Sequence, residues 1–395
     1  MPQIEQPQKR SMNMKKFEMK PVIYFGEGAL GRLKEIKHRK VLVIADPFTA
    51  TSGMVNLITT PVAASGAQYE VFSDVLPDAP LDKISLGVSK LLEYRPECIV
   101  AVGGGSAIDS AKAIREFALK VDNYGDVDLI IIPTTSGTGS EVTSFAVVND
   151  TVAKVKHALV SDSLLASEAI LDPELVKSVP PSITANTGMD VLTHAIEACV
   201  SVNRNDFASA LAEKAIKFIS QYLYRAYSNG NDMEARDKMH TASCLAGVAF
   251  NSAGLGLVHG MAHQLGAVFH IPHGCANAML LPHIVEFNSN TGKNISQDEA
   301  LPSTSIYAYI AGLIGLTDYN EVMSTRALVN WIQFMQREMG VPLTIQELGT
   351  VTPDAYFAQI DKMAECALLD ACTPGNPRVP TKEDVVKIYT KLWSF

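Results

Sequence analysis

Asp190 and His194 stand four apart in GMDVLTHAIEA, so a helix would present both on one face. His259, His263 and His273 follow in GLVHGMAHQLGAVFHIPHG. The first two are one helical turn apart, and the third falls just beyond that helix. One carboxylate and three imidazoles, Asp190, His194, His259 and His273, make a donor set for a divalent transition metal that leaves positions open for substrate. A structural site would instead be closed by cysteines, or by cysteines with histidines. Taken singly, an Asp near a helix start is usually a cap and a His on an apolar helix is usually packed in a core. Five potential ligands in two segments of a chain with nine histidines point to metal chemistry instead. Such an N3O set suits Fe(II), Zn(II), Co(II) and Ni(II) alike.

The surplus imidazole, His263, lies on the same side as His259 and could relay protons between a metal-bound substrate and solvent. Glu197, seven residues after Asp190, is a candidate acceptor for the N–H of a ligand histidine. His270 is expected at the surface or behind the ligands.

These residues need a partner half that handles a cofactor. KVLVIAD (40–46), QYEVFSD (68–74), CIVAVGGGS (98–106) and VDLIIIPTT (127–135) read as buried strands separated by helical stretches. That pattern predicts a parallel sheet with helices on both faces, binding ligands beyond the carboxyl ends of its strands. Gly103, Gly104, Gly105 and Ser106 follow one strand and open a helix, where free N–H groups suit a pyrophosphate. The pattern is not GxGxxG, and tight packing alone would also explain the glycines. PTTSGTGSE adds hydroxyls for phosphate and ribose, with Thr134, Thr135 and Thr138 foremost. Asp46, at the end of what reads as the first strand, would bind a ribose diol and repel a 2′-phosphate, favouring NAD over NADP; it could equally cap a helix.

The character changes near VPPSITANTG, and helical periodicity dominates from there to the end. The reading is therefore a short polar tail (1–17), an α/β dinucleotide-binding domain with a Rossmann-like sheet (18–180), and an all-α metal-binding domain (181–395). A cleft between the two halves is the expected site, with Phe145, Asn149, Leu257 and Cys366 as candidate liners. The 395 residues suffice for two cores. A net charge of −9 argues against nucleic acid and anionic membranes as partners, and no apolar run approaches a membrane span. The six cysteines contain no CxxC and read as reduced thiols of a cytoplasmic protein. The polar tail lacks the apolar core of a secretory signal and the amphipathic pattern of an encapsulation helix.

VIYFGEGAL, GGGSAIDSAKAI, PTTSGTGSE, TGMDVLTHAIEA, HGMAHQLGAVFHIPHG and DACTPGNPR together resemble the iron-containing (group III) alcohol dehydrogenases, from about residue 18 to the C-terminus. Within that family the likeness is greatest to propanol, 1,3-propanediol and ethanolamine-pathway types. The resemblance implies a dehydroquinate-synthase-like superfold and Fe(II) held by Asp190, His194, His259 and His273. It places His263 near the nicotinamide and NAD along Asp46, Gly103–Ser106 and Thr134–Thr138, with Lys156 close by. It implies a short-chain alcohol or aldehyde substrate, a homodimer or assembly of dimers, and a cytoplasmic setting that includes bacterial microcompartments. Ala166 stands where the family often has a proline, which touches loop shape only. A zinc polyol dehydrogenase or a dehydroquinate-synthase-like lyase of the same superfold, and a non-catalytic metal- or NAD-binding scaffold, stay open as alternatives.

Overall fold

The computed structural model describes residues 16–121, 125–152, 155–292 and 299–394. Six strands form one parallel sheet: β1 (Val22–Phe25), β2 (Lys40–Ala45), β3 (Gln68–Phe72), β4 (Cys98–Gly103), β5 (Asp128–Pro133) and β8 (Glu168–Leu171). A separate antiparallel hairpin joins β6 (Phe145–Asp150) to β7 (Val155–Val160). Helices α1 (Pro47–Thr51), α2 (Asn56–Ala64), α3 (Leu81–Tyr94) and α4 (Gly105–Val121) connect the strands. Side-chain alternation divides the burial. Val41, Val43 and Ala45 enter the core shared with α2, whereas Leu42 and Ile44 enter the core shared with α3 and α4. Each such Val, Leu or Ile side chain, fully buried, contributes about 1.5–3 kcal/mol. Both faces are thus covered, which is why these strands read as continuous apolar runs.

The strand order is β1-β8-β5-β4-β2-β3. The chain runs outward from β2 to β3, then returns to place β4 on the other side of β2. The topological switch point therefore lies between β2 and β4, whose carboxyl ends carry Asp46 and Gly103. Asp46 follows the second strand in chain order, not the first, because the short edge strand β1 precedes it. Also absent from the sequence reading are the β6–β7 hairpin, whose strands mix polar with apolar positions, and β8, only four residues long.

From Pro181 onward every regular element among the described residues is helical. These are α5 (Pro181–Val200), α6 (Asp206–Ser228), α7 (Met233–Ala253), α8 (Leu257–Phe269), α9 (His273–Ser289), α10 (Ser303–Leu313) and α11 (Glu321–Glu338). They are followed by α12 (Ile345–Leu348), α13 (Pro353–Phe357), α14 (Ile360–Leu369) and α15 (Lys382–Leu392). Pro181 at the first helical position starts α5 without losing a helical hydrogen bond. One continuous apolar core runs through this half and surrounds α5, α8 and α9. Most of the 1–17 tail lies outside the described residues; Phe17, assigned to it, stacks on Phe207 of α6 at 5.2 Å. Among the described residues no single helix is long and apolar enough to cross a membrane.

Candidate active site

The helical half brings Asp190, His194, His259 and His273 together, with one ligand atom from each lying within 4.8 Å of the others. Asp190 Oδ1 is 4.0 Å from His194 Nε2, 4.0 Å from His259 Nε2 and 3.6 Å from His273 Nε2. Asp190 and His194 project from one face of α5. His259 projects from α8, and His273 opens α9 after the chain reverses at His270, a left-handed C-cap. Gly274 permits the close approach. A Cβ there would stand 2.1 Å from the Asn186 carbonyl oxygen of α5 and 3.3 Å from Asp190 Cβ. Asp190, His194 and His259 are buried, while the His273 side chain is 41% exposed, so the cluster opens on that side.

These donors fit a cation. Burial holds His259 well below its ordinary pKa, so its ring is neutral and Nε2 offers a lone pair. Burial works to raise Asp190, but His194, His273 and the Asn277 amide outweigh it and hold the carboxyl below its ordinary range. Asn277 Nδ2 lies 2.6 Å from Asp190 Oδ1 and 3.1 Å from both His259 Nε2 and His273 Nε2. Its two protons cannot serve three acceptors. Asp190 Oδ1 and the Nε2 atoms of His194, His259 and His273 all face the same point. This excess of converging buried lone pairs is what a divalent ion satisfies.

A second layer of hydrogen bonds orients these side chains. Glu197 Oε2 accepts from His259 Nδ1 at 2.6 Å and from the Gly256 N–H at 3.0 Å, while Oε1 accepts from the Val258 N–H at 2.7 Å. One carboxylate thereby fixes both the start of α8 and the tautomer of His259. His263 Nδ1 lies 2.8 Å from Asp370 Oδ2, and its ring stacks on that of His273 at 5.4 Å. His270 is exposed. Asn277 and Asp370 were not anticipated. Asn277 sits one turn after His273 on α9, a spacing that could have flagged it, whereas Asp370 is brought to His263 only by the fold.

The glycine-rich half supplies a cradle. Gly103 has φ 153°, and a Cβ there would stand 2.6 Å from both Asp46 Oδ2 and Ala107 Cβ. Asp46 caps α1, accepting from Thr49 N at 2.8 Å and Thr49 Oγ1 at 2.9 Å. One lone-pair direction on each oxygen is left for a ligand. Gly104 faces Thr135 and Gly105 faces Thr138, while the Thr134 N–H donates to the Gly103 carbonyl at 2.9 Å. The two turns are therefore adjacent at the N-terminus of α4. Ser106 is differently engaged: its Oγ accepts from the Asp78 N–H at 3.0 Å. Lys156 pairs with Asn149 across the β6–β7 hairpin, and its side chain lies outside the described residues. Leu257 is fully buried in the helical core, Phe145 and Asn149 lie on β6, and Cys366 on α14.

The hydroxyl-rich loop is fastened to both halves. Lys112, on α4 and fully buried, reaches Ser140 Oγ at 3.0 Å, the Thr143 carbonyl at 2.7 Å and the Phe145 carbonyl at 2.8 Å. Burial pushes this lysine down to about 8, against the pull of Asp109 and Glu141. From the helical half, His240 Nδ1 lies 3.1 Å from Ser136 Oγ, and Asn251 Oδ1 accepts from Ser144 N at 2.9 Å. Gly137 packs on Thr187, one turn before Asp190 on α5. The loop that faces the glycine turn thus rests on the helix that carries Asp190 and His194.

The match to known proteins agrees with this geometry. Residues 21–173 match the family described as iron-containing alcohol dehydrogenase, and residues 184–393 match its C-terminal part, the Fe-containing alcohol dehydrogenase family, C-terminal. A 1-propanol dehydrogenase (PduQ) of Citrobacter freundii is 40% identical, covering 96% of this chain and 100% of that one. An NADPH-dependent butanol dehydrogenase of Clostridium saccharobutylicum is 36% identical, over 95% of this chain and 97% of its own. Among solved structures, a 1,3-propanediol oxidoreductase superposes with TM-score 0.87 at 32% identity, covering 96% and 100% of the two chains. The sulfoacetaldehyde reductase of Bifidobacterium kashiwanohense, in complex with NAD+, gives TM-score 0.83 at 29% identity, covering 96% and 99%. Over nearly its whole length, this chain belongs to the iron-containing alcohol dehydrogenase family.

Proposed function

We propose that this chain is an NAD-dependent, Fe(II)-dependent dehydrogenase of short-chain primary alcohols, running in reverse as an aldehyde reductase. The observation that carries this reading is the convergence of four buried-to-half-buried donors, open on the His273 side, beside the loop that meets the glycine turn. Asp190, His194, His259 and His273 would hold the ion. When bound, the ion supplies Lewis acidity at an alcohol or carbonyl oxygen, and the nicotinamide supplies the hydride exchange.

The chain's own residues do the rest. Glu197 holds His259 in the tautomer that presents Nε2. His263, half-exposed and backed by the Asp370 carboxylate, carries a proton between the substrate hydroxyl and solvent. Gly103, Gly104 and Gly105 let a pyrophosphate reach the N-terminus of α4, and Thr134, Thr135 and Thr138 add hydroxyls beside it. Asp46, at the switch point, favours a ribose diol over a 2′-phosphate, which supports NAD even though one relative is NADPH-dependent. The propanol and butanol names of the relatives support a small aliphatic substrate. We also propose a homodimer joined along β1.

The test is anaerobic NADH oxidation with propionaldehyde by metal-stripped protein, reloaded with Fe(II) or with Zn(II). Turnover restored by iron and not by zinc is expected. Turnover restored by zinc alone, with glycerol preferred over propanol in the forward direction, would shift the assignment to a zinc polyol dehydrogenase.

A further inference from the structure

His263, Asp370 and Cys372 gather on the open side of the four-donor cluster. One ligand atom from each lies within 4.8 Å of the other two. His263 Nδ1 is 2.8 Å from Asp370 Oδ2, and the Cys372 N–H donates to Asp370 Oδ1 at 2.9 Å. The turn that carries Asp370 and Cys372 is also pinned from outside the trio: Thr373 Oγ1 donates to the Ala367 carbonyl at 2.5 Å. A Cβ on Gly260 of α8 would meet that same Oγ1 at 2.2 Å. The three donors are therefore presented by α8 and by a turn wedged against it. All three residues are partly exposed. Of the six free cysteines, Cys98, Cys199, Cys244 and Cys275 are buried; only Cys366 and Cys372 are not.

We propose that His263, Asp370 and Cys372 form a second cation site, selective for thiophilic divalent ions such as cadmium, and that an ion seated there inhibits the enzyme. Two features of the donor set carry this. The four-donor cluster has no sulfur, whereas this trio offers sulfur, nitrogen and oxygen, so softness sorts ions between the two sites. A thiolate and a carboxylate also neutralise the two positive charges of a divalent ion. A neutralised ion can sit beside an occupied metal centre without net charge repulsion. On binding, the metal–sulfur bond forms as the thiol S–H breaks, and its proton leaves to the buffer. The imidazole of His263 is then committed to the ion and cannot carry protons. The site stands on its own geometry; the inhibition rests on the role proposed above for His263.

The experiment titrates the Fe(II)-loaded enzyme anaerobically with Cd(II). Thiolate-to-cadmium absorption in the ultraviolet, retained iron and turnover are followed together. Because the four-donor cluster holds no thiolate, the absorption band reports a cysteine outside it, and the two cysteine variants decide which. One equivalent of cadmium is expected to raise the band and suppress turnover while iron stays bound. Cys372→Ser keeps a hydroxyl donor toward Asp370 in place of the thiol. It should keep uninhibited turnover, lose the band and need at least tenfold more cadmium for half-inhibition. Cys366→Ser should behave as the parent does. No band in the parent, a band surviving Cys372→Ser, or a band lost in Cys366→Ser would overturn the site. A band that depends on Cys372 without loss of turnover would keep the site and overturn the inhibition, and with it the role of His263. Should Cys372→Ser unfold, Cys372→Ala serves the same comparison.

Discussion

At the scale of single residues, the chemistry depends on groups that buried carboxylates hold in place. Glu197 is 4% exposed and binds His259 together with two backbone N–H groups of the α8 start. Glu197→Gln leaves the volume unchanged but weakens the acceptor that fixes the His259 tautomer. Iron affinity should fall about 10–100-fold, read by competition with a chelator, with NADH affinity unchanged. Equal iron affinity in the two proteins would show that His259 is oriented without Glu197. Glu141 gives a pH-dependent expectation. Burial pushes its carboxyl from 4.5 up to about 7. Because the folded pKa lies above the unfolded one, the native chain binds more protons in between. Stability is lost as pH rises through that window. Glu141→Gln removes the penalty, so it should gain about 1–3 kcal/mol over wild type at pH 8 and little at pH 4.5. Urea unfolding at both pH values checks this; an identical difference at the two would refute it.

At the scale of elements, the decisive unit is the loop between β5 and β6, because it touches the glycine turn, α4, α5 and α7 at once. Lys112 secures its far end through carbonyl and hydroxyl acceptors that would otherwise be buried without partners. Lys112→Met should therefore destabilise the fold by about 2–4 kcal/mol. It should also raise the dissociation constant for NADH several-fold while iron content stays normal. Isothermal titration with NADH and metal analysis of the same sample separate the two effects. Unchanged NADH affinity would mean that the loop keeps its shape without the lysine.

At the scale of the whole molecule, β1 pairs with β8 on one side and with no strand on the other among the described residues. The N–H groups of Val22 and Gly26 bond inward to Ser167 and Leu171, which leaves those of Ile23 and Phe25 facing out. Phe25 is 70% exposed at this edge. An open edge of this kind is the natural seam for a two-fold dimer. Phe25→Pro removes one outward donor without breaking the pairing to β8. Sedimentation should show a dimer for the parent chain and at least tenfold weaker association for the variant. A dimer of unchanged affinity would place the interface elsewhere.

Local pattern made part of this protein legible in the sequence alone. Apolar runs ending in Asp46, Gly103 and Pro133 announced the parallel strands and the ends where a ligand belongs, because a strand buried on both faces cannot carry polar residues. The i, i+4 spacing of Asp190 and His194 declared a shared helix face, because helical geometry is set by the backbone. Sequence separation hid the rest. Asp370 lies 107 residues from His263, and Ser136 lies 104 from His240; no periodicity links such pairs. The pairing of β6 with β7 and the strand β8 were missed because the hairpin stands apart from the main sheet and β8 is only four residues long. The sequence by itself determined which side chains could bind a metal and which turns could cradle a phosphate, since those follow from residue type and local backbone. Only the tertiary structure decided that α5, α8 and α9 converge on one point, that the hydroxyl-rich loop rests beside it, and that Cys372 joins His263. Those outcomes depend on how helices pack through a common core.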